Sequence, residues 1–162
     1  MKTLTIPNET LIPAVKAAID EGHSVTLRVR GRSMRPFLED NRDKAVLSPI
    51  RPDDVERGDV VLAEVRPKFY VLHRVAHRDG DALTLRGDGN PYLRENCRAT
   101  DVIAVATGFL RGKRDKYTST TSFRWKFYSF IWPSWGHLRR LLLAFYSRIL
   151  HPQKRHNPII RQ

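Results

Sequence analysis

Three short stretches carry side chains that could do nucleophilic chemistry together. The first, Val29-Arg30-Gly31-Arg32-Ser33-Met34-Arg35-Pro36-Phe37, sets a serine just after a glycine turn and just before a proline. A serine hydroxyl at neutral pH is a poor nucleophile, so Ser33 needs a base within hydrogen-bond reach and a group that orients the base. Two later stretches, Val71-Leu72-His73-Arg74-Val75 and Leu85-Arg86-Gly87-Asp88-Gly89-Asn90, offer a histidine and a carboxylate. His73 and His77 could be pictured as metal ligands, but the strand pattern around them and the lack of a clear third ligand argue against a metal. The chemistry as read calls for no cofactor.

The elements around these stretches must bring them together. Leu11, Ala14, Val15, Ala18 and Ile19 recur at helical spacing after Asn8, and Glu21-Gly22 ends the run, so residues 9–21 are expected to form an amphipathic helix that packs on a sheet. From Ser24 to Arg30, apolar Val25, Leu27 and Val29 alternate with Thr26, Arg28 and Arg30, the period of a half-buried strand that would deliver the chain to Ser33. Pro36 restricts Arg35 to extended backbone and suits the first turn of a short following helix. Further strands are expected at Asp43–Leu47, Asp59–Val65, Phe69–Val75, Ala82–Arg86 and Val102–Leu110, with turns near Asn41, Pro49/Pro52, Pro67, Asp79-Gly80 and Gly87 to Pro91. Many short strands and few helices imply a mainly β chain, a small coiled antiparallel β domain. Residues Gly112 to Ser122 are expected to be a polar linker.

Charge divides the chain unevenly. The formal net charge is +12, yet residues 1–110 hold 17 Lys and Arg against 16 Asp and Glu, while residues 111–162 hold 12 against 1. Such asymmetry marks a basic appendage that meets an anionic surface. From Phe123 onward that segment carries Trp125, Trp132 and Trp135 with several Phe and Tyr, is broken at Pro133-Ser134, and then places Leu138, Leu141, Leu142, Phe145 and Ile149 on one helical face. A basic, aromatic amphipathic segment over 123–150 is expected to lie on an anionic membrane surface; docking of the same face on the β domain is the competing expectation. The segment lacks a recognisable nucleic-acid module, which argues against that partner. Cys97 is the sole cysteine and reads as a small, partly buried side chain. Met1 to Asp20 does not read as a secretory signal, and no apolar stretch is long enough to span a bilayer. A cytoplasmic protein, or one peripheral on the inner face of the membrane, is therefore expected.

Several boxes in fixed order resemble the signal peptidase I/LexA-like serine peptidase superfamily. Gly31-Arg32-Ser33-Met34-Arg35-Pro36 is similar to its G-x-S-M-x-P nucleophile box, Arg57-Gly58-Asp59-Val60-Val61 to its G-D-hydrophobic strand start, His73-Arg74-Val75 to its base box, and Gly87-Asp88-Gly89-Asn90 to its G-D-N-N box. Asp101-Val102-Ile103-Ala104 looks like the closing strand. The resemblance covers roughly Val25 to Gly112 and is nearest the archaeal and endoplasmic-reticulum branch, where a histidine replaces the lysine base of the bacterial enzymes.

It implies a serine endopeptidase acting on a peptide or protein substrate, with Ser33 as nucleophile, His73 as general base and Asp88 as the carboxylate that orients His73. The family's second acidic residue, a few positions on, has Glu95 as its nearest counterpart. Lys44 and Lys68, the lysines that could restore a serine-lysine pair, do not occupy the base position. The organisation implied is an N-terminal helix over 1–23, the peptidase domain over 24–112, and a linker with its basic tail over 113–162. The alternative is a catalytically silent peptide-binding or membrane-surface adaptor built on the same fold.

Overall fold

A computed structural model describes residues 8–90 and 92–134, together with Phe145. The expected apolar alternation is present as a mainly antiparallel β structure flanked by a helix at each end. In chain order the elements are helix α1 (Asn8–Asp20), strands β1 (Val25–Arg28), β2 (Lys44–Ser48), β3 (Val60–Arg66), β4 (Phe69–Asp79), β5 (Ala82–Arg86), β6 (Glu95–Arg98), β7 (Val102–Arg111) and β8 (Lys116–Ser119), and helix α2 (Phe123–Ser134). The strands form one sheet in the order β1-β2-β7-β3-β4-β5-β6, with β8 added to β7.

Local chemistry explains the tight connections. β3 and β4 are joined through Pro67 and Lys68, where proline presets one turn position and Lys68 takes a positive φ of 62°. β4 and β5 pair Asp79 with Ala82 across Gly80-Asp81, and Gly80 supplies the positive φ that a two-residue hairpin needs.

The sheet is buried on both faces. One core joins Ile12, Val15 and Ile19 of α1 to Ala45, Leu47, Val60, Leu62, Ala104, Ala106 and Phe109 of the sheet, and the other gathers Val55, Val61, Ala63, Val75, Leu83, Leu85 and Ala99. Alternation along β3 sends Val60 and Leu62 to the first core and Val61 and Ala63 to the second. Each fully buried aliphatic side chain contributes roughly 1.5–3 kcal/mol, so α1 is held to the sheet mainly by these contacts.

The division at residue 112 is not seen in the packing. Instead of a polar linker, β8 pairs with β7 from Gly108↔Ser119 to Arg111↔Lys116. A β carbon on Gly108 would run into the Tyr117 ring, so the glycine is what lets that ring lie across β7. α2 then puts Trp125 into the first core, with ring centroids 4.7 Å from both Phe37 and Phe109. The start of the basic tail is thus tied to the core through Trp125. The amphipathic run expected at 138–149 lies outside the described residues apart from Phe145. No helix among the described residues is long and apolar enough to cross a membrane.

Candidate active site

The Ser33 segment is a run of turns rather than the start of a short helix, and it is held from beneath. Val29, Met34, Phe37 and Leu38 are all buried in the first core. Main-chain bonds secure its ends: Val29 N–H donates to Asp43 O at 2.8 Å, and Asn41 N–H donates to Val29 O at 2.9 Å. Gly31 adopts φ 89°, a conformation that favours glycine, while its N–H donates to Asp40 Oδ1 at 2.8 Å. Asp43 closes the base of the loop, accepting from Glu39 N–H at 2.9 Å, Gly112 N–H at 2.8 Å and the Arg42 guanidinium at 2.7 and 2.9 Å. Burial alone would push the Asp43 carboxyl up, but these donors outweigh it and hold its pKa below the ordinary 3.8.

Gly87 and Gly89 explain how Ser33 meets His73. A β carbon on Gly87 would stand 2.5 Å from Ser33 O, 3.0 Å from Ser33 Cβ and 3.2 Å from His73 Nε2, so Ser33 and His73 converge over a position that only glycine leaves open. Gly89 N–H donates to Ser33 O at 2.6 Å, and a β carbon there would collide with Arg32 O. The Gly-Asp-Gly loop therefore lies flat against the Ser33 turn. Rotation about the Ser33 Cα–Cβ bond moves the hydroxyl oxygen relative to His73 Nε2, and the hydrogen bond that catalysis requires commonly tightens only around substrate.

The carboxylate on His73 is Glu95, not Asp88. His73 Nδ1 lies 2.9 Å from Glu95 Oε2, and both side chains are largely buried. Register accounts for the pairing: Val75 faces Leu85 and Leu85 faces Glu95 across three strands, and His73, two residues before Val75, shares their face. Asp88 is taken by the other face. Arg74 grips it with both arms, Nε to Oδ1 at 2.9 Å and Nη2 to Oδ2 at 2.7 Å, and the Tyr128 hydroxyl donates to Oδ2 at 3.0 Å. Arg74 also donates to Gly58 O and to Ser129 Oγ, each at 2.9 Å, and lies over the Trp125 ring. Burial disfavours the Arg74 charge, yet the Asp88 carboxylate more than offsets this and holds its pKa above the ordinary value. Asp88 thus ties the glycine loop, β4 and α2 together instead of orienting the histidine.

A cleft of about 520 Å³ opens over Ser33, His73 and Glu95, walled by Leu27–Arg30 on one side and Phe69–His73 on the other. Both walls are strand edges. β1 is the end strand of the sheet, and β4 meets β5 only from Arg74 onward, which leaves the stretch from Phe69 to His73 paired on its β3 side alone. Lys44 is engaged by Asp115 at 2.6 Å and Lys68 sits in the β3–β4 turn; neither lines the cleft. His77 lines a different cleft, described below.

The structure brings Ser33 and His73 together over Gly87 and sets Glu95, where Asp88 was expected, on the histidine ring, with Asp88 held by Arg74. The signal that pairs Glu95 with His73 is strand parity, available only once β6 is recognised. Comparison with known proteins finds no matching family model, no matching curated protein and no matching solved structure.

Proposed function

We propose that the chain is a serine endopeptidase whose catalytic groups are Ser33, His73 and Glu95. The observation that carries this reading is the convergence of Ser33 Cβ and His73 Nε2 over Gly87, with Glu95 on the opposite ring nitrogen. In this arrangement His73 Nε2 takes the Ser33 proton as the hydroxyl oxygen attacks a scissile carbonyl, and returns it to the leaving amine. Glu95 accepts the Nδ1–H, which selects the tautomer with a free Nε2 and stabilises the imidazolium. The acyl group left on Ser33 is released by water activated by the same histidine. Main-chain N–H groups of the Ser33 turn, that of Ser33 included, are the donors for the oxyanion.

The peptide fits as an added strand between the edges of β1 and β4. Main-chain hydrogen bonds would align it, and Leu27, Val29, Met34, Leu62 and Leu72 would receive its apolar side chains. This edge-to-edge slot favours an extended chain over a folded surface as substrate.

The test is incubation of the purified full-length protein with a diverse peptide library, with new termini read by mass spectrometry. Wild-type protein should produce a defined set of cleavages, and Ser33→Ala and His73→Ala should each lower their rate on the order of a thousandfold or more. Cleavages that persist in Ser33→Ala, or none from any sample, reject the peptidase reading.

A further inference from the structure

A second cleft, of about 680 Å³, opens on the face of β4 opposite His73. Arg74 and Arg86 are directly opposite each other in the β4–β5 register, so their side chains share a face, and Arg57 and Arg94 complete a ring of four arginines around the same space. His77 stands at the wall. The Asp88 carboxylate that offsets this charge already has both oxygens on Arg74. Arg86 feels the crowding: burial, and then Arg94, Arg74 and Arg57, push its guanidinium below the ordinary value against the pull of Asp88. A partly enclosed group of guanidiniums that repel one another is an arrangement that an anion relieves, and the planar forks of arginine match a phosphate.

Beside the arginines the cleft is walled by Phe130 of α2. Phe123, Phe127 and Phe130 recur at i, i+4 and i+7, which puts them on one side of the helix, and they are 79%, 56% and 79% exposed. Trp125 and Tyr128 pack on the core from the other side of the helix. Exposed Arg124 and Lys126 flank the ridge. Cationic pocket and apolar ridge adjoin, as the headgroup and hydrocarbon zones of a lipid surface do.

We propose that this cleft binds the phosphate of an anionic phospholipid, with Phe123, Phe127 and Phe130 entering the bilayer interface next to it. The site is on the opposite face of β4 from His73 and does not depend on the peptidase reading. It would fix which side of the domain faces the membrane, leaving the slot between β1 and β4 to peptides.

The experiment is sedimentation of the full-length protein with phosphatidylcholine vesicles with or without phosphatidylglycerol, alongside titration with inorganic phosphate. Wild-type protein should bind the anionic vesicles and not the neutral ones. Loss of three arginines in Arg57→Gln/Arg86→Gln/Arg94→Gln should weaken that binding on the order of tenfold or more, since each basic group at the surface counts separately. A control with the same charge change elsewhere, Arg51→Gln/Arg66→Gln/Arg114→Gln, should weaken it far less. Arg57→Gln/Arg94→Gln alters only exposed groups, so it keeps the test sound if the triple variant fails to fold. Phe127→Ser/Phe130→Ser should lose vesicles while still binding inorganic phosphate at the cleft, and Ser33→Ala should bind vesicles as wild type does. Equal losses in the cleft and control variants would reduce the effect to net charge and overturn the proposal. In the wild type, phosphate binding without vesicle binding would make the source a free phosphate and overturn it too.

Discussion

His73 and Arg74 are neighbours in β4, point to opposite faces, and have each acquired a carboxylate. The histidine holds Glu95 through a single bond beneath an open cleft, whereas the arginine holds Asp88 through two bonds in a buried junction reinforced by Tyr128, Ser129 and Trp125. One pair leaves a ring nitrogen available for chemistry. The other uses its hydrogen-bonding capacity to join three elements. The difference shows that an acidic residue beside a glycine-rich loop is not assigned to a histidine by its position in the chain; strand parity decides it.

Breaking the structural pair should have the largest effect on folding. Asp88→Ala leaves the Arg74 charge buried without its partner and should cost about 3–5 kcal/mol in chemical denaturation, loosening α2 with it. Glu95→Gln is the sharper half of the contrast. It should leave stability within about 1 kcal/mol while lowering the cleavage rate on the order of 10²–10⁴-fold, because the amide no longer enforces the tautomer or stabilises the imidazolium. Comparable losses of rate without loss of stability in both variants would dissolve the distinction between the two carboxylates.

The Ser33 turn offers the next test. Asp43→Asn keeps the shape and removes the charge that Arg42 and two main-chain donors recognise, so it should destabilise by roughly 1–3 kcal/mol. The folded pKa of Asp43 lies below its unfolded value. Its contribution is therefore complete at neutral pH and is lost as pH falls through the folded value, below 3.8. Acid titration of the wild type and Asp43→Asn should show their stabilities converging on the acid side; a gap that stays constant down to pH 2 would refute the charge-based account.

The smallest effect is expected at Cys97. Its thiol is pushed up to about 11, chiefly by burial and then by Asp101 and Asp81, so little thiolate exists at neutral pH. Thiol reagents should label native protein slowly and leave cleavage unchanged. Fast labelling would place Cys97 in a more open setting than β6 provides.

Much of the fold is legible where apolar residues recur with a clear period. α1 follows from Leu11, Val15 and Ile19, and β1 through β5 and β7 from their alternation. β6 and β8 are not legible for the converse reason: Glu95-Asn96-Cys97-Arg98 and Lys116-Tyr117-Thr118-Ser119 have few apolar residues to alternate, and their pairing is decided by neighbours already in the sheet. Missing β6 is what kept Glu95, named only as the counterpart of a second acidic residue, from being paired with His73. Missing β8 made residues 112–122 look like a linker. Trp125 reads as part of an exposed aromatic segment until the core around Phe37 and Phe109 is assembled around it.

The most direct test of the proposed catalytic centre needs no knowledge of the substrate. A fluorophosphonate reacts covalently with a serine hydroxyl that a base has activated, and the modified residue is identified by peptide mass spectrometry after digestion. Wild-type protein should be modified at Ser33 alone, Glu95→Gln more slowly, and His73→Ala scarcely at all, while Asp88→Asn that remains folded should react much as wild type does. Modification at another serine, or a rate at Ser33 indifferent to loss of His73, would contradict an active centre built from Ser33, His73 and Glu95.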